Sequence, residues 1–475
     1  MTIFVTLASA GAASVNAVVA KSAARIHDLW IMSSSREMCP MPLSAAWRQT
    51  YLRLQNLVMS GDGKPRLPRE GKMRKSSLFG MAAAIALAST GVLAQNAPFV
   101  AAWGTSQQRE GEAKIANATV RMIARVTLAG EAVRIRLDNT YGKTPVVFSK
   151  ASIAPRVRGA AVAVNLVKPV TFRGQGTVTV PAGGSVTSDA VPLSVVAQQD
   201  LAVSLFVSGE ALPSQHNNAQ TTSYVTPNGA GDATASADGK AFTERTTAMY
   251  WLKAIDVQAP GATSIIAFGD SITDGTCTTL DAHDRWEDLV SQRLALAGAK
   301  IAVVNEGIGG NTVTNAANYN PVTNSDPGVL RLDRDVLSHP GISHVVMFMG
   351  TNDVRRGAPA QLVIGGMKSM IERLRARGNI KVIGATMVPR HTIVPGVADT
   401  GWSEEKTKIR NQVNDWIRKE AGFDAVLDFD RVMASKSDPN LMEHAYDCGD
   451  GVHPSPIGYF QMGKAVDLAV FGVKP

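Results

Sequence analysis

The chain is poor in cysteine, with three residues of this type among 475. A small fold held together by many disulfides is therefore excluded. The sequence also contains no His-rich stretch and no Asp-x-Asp-x-Asp-Gly spacing, so it predicts neither a metal nor any other cofactor. Hydrophobic residues make up 45% and charged residues 19% of the chain. This balance is typical of globular proteins and excludes wholesale disorder, collagen and coiled coil.

The net charge of +8 is concentrated at the amino-terminal end of the chain. The first 72 residues hold nine Lys or Arg against four Asp or Glu, and Arg74 and Lys75 add two more positive charges, which leaves residues 95–475 at +1. Because binding to nucleic acid depends on a basic surface, the nearly neutral remainder of the chain does not predict nucleic acid as a partner.

The segment that begins at Met73 has the order of a secretory signal. Two basic residues are followed by an apolar run from Leu78 to about Val92 and then by small or polar residues. The apolar run is shorter than the roughly 20 residues of a membrane-spanning helix. We predict a signal peptide over residues 73–94, export to the periplasm or the extracellular space, and no stable membrane span after cleavage. An uncleaved anchor or a buried helix is the alternative.

Residues 1–72 show no sustained periodicity and end in a stretch rich in Gly and Pro. A signal peptide that starts 72 residues inside a chain is unusual. We therefore interpret this segment as a doubtful extension, which is either disordered or lies upstream of a true start at Met73, and assign it no function.

Residues 95–256 contain many short runs in which Val, Ile and Thr alternate with polar or small residues, separated by turn-forming clusters. This pattern predicts an antiparallel β-sandwich domain. From about 227 to 247 the chain becomes rich in Gly, Ala, Ser, Asp and Thr, and we predict a linker there.

Residues 257–475 have a different pattern, in which continuous apolar runs alternate with amphipathic helical segments. Such alternation predicts right-handed βαβ units and a parallel sheet covered on both faces. The apolar runs are at 263–268, 301–304, 344–349, 380–386 and 425–429. The predicted fold class is therefore α/β, a three-layer αβα flavodoxin-like parallel sheet preceded by the β-sandwich domain.

Polar and glycine-rich segments follow the first three of these runs, and an acid–histidine pair lies near the end of the chain. In a parallel sheet of this kind, ligands bind beyond the carboxyl ends of the strands. The four segments are Gly-Asp-Ser at 269–271, Gly-Gly-Asn at 309–311, Gly-Thr-Asn-Asp at 350–353 and Asp-Gly-Val-His at 450–453.

This set resembles the SGNH, or GDSL, hydrolase superfamily, whose marker residues are a Ser, a Gly, an Asn and a His in four blocks occurring in this order. The resemblance covers residues from about 263 to 460. The sequences FGDSITDG at 268–275 and VVNEGIGGN at 303–311, together with AWGTS at 102–106, resemble the long form with an amino-terminal β-domain. Members of that form are described as exported acylhydrolases or arylesterases.

The resemblance implies a role for each marker residue. Ser271 is the expected nucleophile, His453 the general base, and Asp450 the acid that orients the imidazole. The expected oxyanion hole combines the backbone N–H of Ser271, that of Gly310 and the side-chain amide of Asn352. Without the other blocks, Ser271 would be interpreted as a helix cap and the Gly and Asn as turn residues.

The two downstream cysteines, Cys277 and Cys448, lie close in sequence to Ser271 and Asp450. If the catalytic residues converge, the cysteines converge too, and in an oxidising compartment a disulfide between them would hold the His453 loop against the nucleophile loop. Two free, half-buried thiols are the alternative.

The predicted function is that of an exported, metal-independent serine carboxylic ester hydrolase acting through an acyl-enzyme. Its predicted substrates are small-molecule or polysaccharide esters, with short acyl (acetyl) or aryl esters preferred. Two alternatives stay open: an acyltransferase that uses the same acyl-enzyme, and a glycan-binding protein with a vestigial hydrolase domain.

Overall fold

The computed structural model of the chain describes residues 98–315, 325–390 and 402–474. The predicted extension at 1–72 and the predicted signal peptide at 73–94 lie outside these residues. The described residues fall within one compact unit. In none of these three ranges does a helix combine the length and the apolar character that crossing a bilayer requires.

The first part of the described chain is built from short antiparallel strands. They are β1 (Phe99–Gly104), β2 (Arg109–Glu110), β3 (Ile115–Val126), β4 (Val133–Asp138), β5 (Val146–Arg158), β6 (Ala161–Val162), β7 (Lys168–Pro169), β8 (Val178–Val180), β9 (Ser185–Thr187), β10 (Gln199–Ala211), β11 (Ser214–His216), β12 (Ser223–Val225), β13 (Glu244–Thr246), β14 (Met249–Tyr250) and β15 (Leu252–Gln258).

These strands form three sheets. One has the order β1-β15-β4-β9, a second has the order β13-β12-β3-β10-β5-β6 with β7 and β8 paired to β5, and a small third sheet has the order β14-β11-β2. Side chains of β4 and β15 from the first sheet and of β3, β5 and β10 from the second share one buried core. Two antiparallel sheets packed over a common core are a β-sandwich, as predicted.

The segment predicted as a linker lies along the second sheet. Gly229 and Gly231 donate backbone hydrogen bonds to the carbonyl oxygens of Ala116 and Asn117 at 3.0 and 2.9 Å, and β13 pairs with β12. The predicted boundary between the two domains, near residue 256, falls within β15. This strand follows β14 and belongs to the first sheet.

The second part of the described chain contains five parallel strands. They are β16 (Thr263–Gly269), β17 (Ile301–Gly307), β18 (Ile342–Phe348), β19 (Lys381–Ala385) and β20 (Ala425–Leu427). Their order in the sheet is β17-β16-β18-β19-β20. Numbered along this part of the chain, that order is 2-1-3-4-5, the flavodoxin-like arrangement, so the predicted α/β fold class is confirmed.

Helices cover both faces of this sheet. They are α1 (Ser271–Asp274), α2 (Trp286–Leu296), α3 (Gly328–Leu332), α4 (Thr351–Arg355), α5 (Ala360–Arg375), α6 (Glu404–Lys419), α7 (Phe429–Met433) and α8 (Pro456–Ala465). Apolar side chains of α3, α5 and α6 pack on one face and those of α2, α7 and α8 on the other. In α5, for example, residues 363, 367, 370, 371 and 374 repeat at helical spacing and are buried.

The sandwich packs directly on the α/β layer. The backbone N–H of Ala101 donates to Pro340 O at 3.1 Å, and the hydroxyl of Thr127 bonds the backbone of Val303 at 2.9 Å. A buried ion pair joins Lys253 to Asp335 at 3.0 Å. The β-region therefore lies close enough to affect the loops at the edge of the parallel sheet.

Candidate active site

Ser271 lies at the sharp turn between β16 and α1. The carboxylate of Asp270 caps the helix by accepting the backbone N–H of Ile272 at 3.0 Å. A Cβ at position 269 would come within 2.2 Å of Thr273 Oγ1, so only glycine fits this close approach. Gly275 ends the short helix with φ of 102°. These constraints place Ser271 at the carboxyl edge of the sheet, with 7% of its surface exposed.

Ser271, His453 and Asp450 form a continuous hydrogen-bonded chain. Ser271 Oγ lies 2.8 Å from His453 Nε2, and His453 Nδ1 lies 2.6 Å from Asp450 Oδ2. Asp450 is itself fixed because its other oxygen accepts the backbone N–H groups of Val452 and His453 at 2.8 Å. A carboxylate beside Nδ1 favours the proton on that nitrogen, which leaves Nε2 able to accept the Ser271 hydroxyl.

The charge of Asp450 is stabilised by its partner. Burial works to raise the pKa of this half-buried carboxyl, but the hydrogen bonds and positive charge of His453 outweigh burial and lower the pKa to about 2. Asp450 is therefore ionised at neutral pH. Burial has the opposite result at Asp270 and Asp353, where it raises the pKa of each carboxyl to about 6.

A disulfide joins Cys277 to Cys448, with Cα atoms 6.3 Å apart. It connects the nucleophile loop to the loop that carries Asp450 and His453, because each cysteine lies a few residues from the site. The backbone N–H of Cys448 also donates to His453 O at 3.0 Å. The hydroxyl of Tyr459, on the helix α8 that follows the His453 loop, also reaches the nucleophile loop and donates to Thr276 O at 2.7 Å.

The Gly-Gly loop after β17 and the start of α4 form the opposite wall of the site. Gly310 has φ of 73°, a left-handed conformation that glycine adopts without strain. The side-chain amide of Asn352 donates to Asn311 O at 3.0 Å, which fixes its orientation. Ser271, Gly310, Asn352, Asp450 and His453 all line one open cleft of about 410 Å³, so the predicted catalytic and oxyanion-hole residues lie around the same space.

Two buried carboxylates hold the Gly-Gly loop and the chain that follows it. Asp353 accepts the backbone N–H groups of Val313 and Thr314 at 2.8 and 3.0 Å. Asp274 accepts the backbone N–H of Gly309 at 2.8 Å. The sequence motifs contain both acids but do not show which backbone each one binds.

Arg331 holds the carboxyl ends of β16 and β17 together. Its guanidinium, which is fully buried, donates to Gly269 O at 2.8 Å, to Glu306 O at 2.9 Å and to Asn311 Oδ1 at 3.0 Å. Sequence reasoning missed this residue because it lies in α3, away from the four blocks. An isolated Arg within a short amphipathic helix gives no signal that could have identified it.

Side chains of metal-ligating type meet at the disulfide. Cys277, Asp450 and His453 lie close enough to share an ion, as do Asp447, Cys448 and Asp450. The sulfur atoms are bonded to each other and are not thiolates, and Asp450 is bonded to His453. These side chains therefore serve as an acid–base pair held in place by a disulfide, and their chemistry does not fit a metal site.

Residues 267–460 match the family described as GDSL-like Lipase/Acylhydrolase. The esterase TesA of Pseudomonas aeruginosa is 32% identical over 136 residues, which are 28% of this chain and 60% of the relative, so the chain spans about 60% of that relative's length.

The solved structures that are similar to part of this chain include the following two. The aryl esterase of M. smegmatis is 21% identical, with 45% of this chain and 100% of that chain covered and a TM-score of 0.35. A carbohydrate acetylesterase family member from Sinorhizobium meliloti is 16% identical, with 44% and 98% covered and a TM-score of 0.35. The match to the GDSL-like Lipase/Acylhydrolase family runs from β16 to α8, and it includes Ser271, Gly310, Asn352 and His453, which line one cleft.

Proposed function

We propose that the protein is an exported serine carboxylic ester hydrolase that forms an acyl-enzyme on Ser271. The observation that carries this proposal is the hydrogen-bonded chain from Ser271 through His453 to Asp450, which opens on the cleft lined by Gly310 and Asn352. Nucleophile, base and orienting acid at these distances are what acyl transfer through a serine requires.

In the first step, His453 Nε2 takes the proton of Ser271 while Oγ attacks the ester carbonyl carbon. The carbonyl π electrons move onto oxygen, and the resulting imidazolium is stabilised by the ionised carboxylate of Asp450. The oxyanion accepts hydrogen bonds from the backbone N–H groups of Ser271 and Gly310 and from the amide of Asn352. Asn352 serves this role well because its orientation is already fixed by Asn311.

The tetrahedral intermediate then breaks down. His453 gives its proton to the leaving alcohol oxygen as the C–O bond breaks, which leaves the acyl group on Ser271 Oγ. Water enters, loses a proton to His453 and repeats the sequence, releasing the carboxylic acid and the free serine. An alcohol or sugar that takes the place of water would give acyl transfer, and product analysis with an added acceptor separates the two outcomes.

We propose short acyl (acetyl) and aryl esters, including those of carbohydrates, as substrates. The match of residues 267–460 to the acylhydrolase family and the likeness to a relative named as an esterase support this class. The disulfide between Cys277 and Cys448 supports export, because such bonds persist in oxidising compartments.

The test is hydrolysis of p-nitrophenyl acetate by the protein expressed from Met73 and by its Ser271→Ala variant. We expect the variant to retain the circular dichroism spectrum and melting temperature of the wild type and to lose at least about 1,000-fold in kcat. Ser437→Ala, at an exposed serine away from the cleft, is the matched control and should remain active. An active Ser271→Ala protein would refute the proposal.

A further inference from the structure

Among the described residues, four arginine side chains are fully buried, and three of them are compensated within the protein. Arg331 lies 3.3 Å from the carboxylate of Asp335, and Arg410 lies 3.4 Å from that of Asp430. Arg121 is compensated by hydrogen bonds, because each of its three guanidinium nitrogens donates to an oxygen of the β-region. This is the expected pattern, since burying a charge is costly unless it is paired.

The fourth buried arginine, Arg390, lacks such compensation. Its exposed fraction is 2%, Nη1 donates to Thr351 Oγ1 at 3.2 Å, and the ring of Trp402 lies 4.5 Å from the guanidinium carbon. Nε has no hydrogen-bond partner, and no carboxylate of the described chain forms an ion pair with this side chain. Burial and the nearby charges of Arg355 and Arg410 lower the pKa of Arg390 to about 10, against the opposing charges of Asp270 and Asp450, which form no ion pair with it. Arg390 is therefore still charged at neutral pH.

The position of Arg390 connects this unpaired charge to the reaction. Arg390 follows β19 at the edge of the sheet where Ser271 lies, and it lines the same cleft as Ser271 and His453. A second arginine, Arg355, lines this cleft as well. The one acid among the described lining residues is Asp450, whose carboxylate is bonded to His453. The described lining of the cleft therefore contains no further acid that could pair with Arg390.

We propose that Arg390, with Arg355 beside it, forms an anion subsite of the catalytic cleft, and that the substrate is an ester carrying a carboxylate. The proposal rests on the esterase function proposed above and narrows its substrate class. A guanidinium matches a carboxylate because its planar N–H groups can bind both oxygens, and the carboxylate would supply the counter-charge that Arg390 lacks. The carboxylate can belong to the acyl part or to the alcohol part of the ester, and the chemistry of recognition is the same.

Two pairs of esters, matched in size and differing in charge, test the proposal and distinguish these positions. For the acyl part, the pair is mono-p-nitrophenyl glutarate and its methyl ester. For the alcohol part, the pair is O-acetylated galacturonic acid and its methyl ester, with acetate release as the readout. In at least one pair we expect the wild type to have a kcat/KM about tenfold higher for the charged member. A ratio of one or below in both pairs would overturn the proposal.

The variants Arg390→Met and Arg390→Lys assign this preference to one side chain. Arg390→Met should lower the charged-to-neutral ratio of kcat/KM by about tenfold, and Arg390→Lys should retain part of it. Arg355→Gln should lower the same ratio less, because Arg355 is exposed and its charge is screened by solvent. Arg377→Gln, at an exposed arginine outside the cleft, is the control and should leave the ratio unchanged. If Arg390→Met folds and its charged-to-neutral ratio of kcat/KM equals that of the wild type, the proposal is overturned. If Arg390→Met does not fold, the same comparison is made with Arg355→Gln, and an unchanged ratio there overturns the proposal.

A binding measurement separates failure of the subsite from failure of the esterase function. Glutarate titrated calorimetrically into Ser271→Ala requires no turnover. We expect it to bind about tenfold more tightly than to the Ser271→Ala/Arg390→Met double variant. If no ester is hydrolysed but this difference is found, the proposed function is wrong and the anion subsite is supported. If esters are hydrolysed and the two proteins bind glutarate equally, the subsite is refuted.

Discussion

His216 of strand β11 contacts Asp274 of helix α1, with 2.9 Å between His216 Nε2 and Asp274 Oδ1. The other nitrogen of the ring, Nδ1, lies 2.9 Å from Ser106 O. Because a carbonyl and a carboxylate can only accept, both ring nitrogens donate and the buried ring is an imidazolium. Burial opposes this charge, but Asp274 outweighs burial and raises the pKa of His216 above its ordinary value. The other oxygen of Asp274 holds Gly309, so the β-region is connected to the Gly-Gly loop of the site.

The first prediction concerns this connection. His216→Gln keeps a side chain of similar length but cannot donate to Ser106 O and Asp274 while carrying a positive charge. Asp274 would lose its fixed orientation, and with it the restraint on the Gly309 backbone. We expect kcat on p-nitrophenyl acetate to fall about 10- to 100-fold with a smaller change in KM, since the loop acts mainly on the oxyanion.

His444→Gln is the matched control, because His444 is exposed and does not line the cleft. It should leave kcat unchanged. A His216→Gln protein with wild-type kcat, or one in which KM alone changes, would show that the connection does not position the Gly-Gly loop. Replacing His216 with Arg, which keeps the charge, should recover part of the lost kcat if the protein folds.

The second prediction concerns Asp450. An amide at this position cannot stabilise the imidazolium of His453, so Asp450→Asn should lower kcat about 10³- to 10⁴-fold. The carboxylate also makes stability depend on pH. Because folding lowers the pKa of Asp450 to about 2, its stabilising contribution is complete above the ordinary Asp pKa of about 3.9 and is lost as the pH falls towards 2.

The measurement for this prediction is urea unfolding of the wild type and of Asp450→Asn at pH 5 and at pH 2.5. The difference in free energy of unfolding between the two proteins should narrow by about 1 kcal/mol at the lower pH, a figure that allows for solvent screening of a half-buried group. A difference that stays constant or widens would contradict the assignment.

Much of the fold and the site could be predicted from sequence because the relevant signals are local. Each strand of the parallel sheet is a continuous apolar run, and Ser271, Gly310 and Asn352 directly follow β16, β17 and β18. The topology then gathers these three strand ends at one edge, and only His453 has to be brought in from the end of the chain.

The side chains that support the site could not be predicted in this way. His216 lies 58 positions before Asp274, and their contact depends on how the β-sandwich packs on the sheet, which no periodicity records. Arg331 and Arg390 belong to no sequence motif. Their importance appears only through their burial and their contacts, because Arg331 pairs with Asp335 whereas Arg390 forms no ion pair with a described carboxylate. The positions that follow the carboxyl ends of the parallel strands identify the reacting groups. The side chains that orient those groups, or that place a charge beside them, depend instead on tertiary packing.

The third prediction concerns the disulfide between Cys277 and Cys448, which closes a loop between cysteines 171 residues apart. Such a bond lowers the conformational entropy of the unfolded chain. The Cys277→Ser/Cys448→Ser variant should therefore lose about 3–5 kcal/mol of unfolding free energy. It should also have a lower kcat, because without the disulfide the His453 loop would be held near the nucleophile loop only by weaker contacts such as the Ser271–His453 and Tyr459–Thr276 hydrogen bonds. Melting temperature and kcat are measured with and without reductant: both should fall on reduction of the wild type, and neither should change in the variant. Equal responses of the two proteins to reductant would show that the bond does not hold the site together.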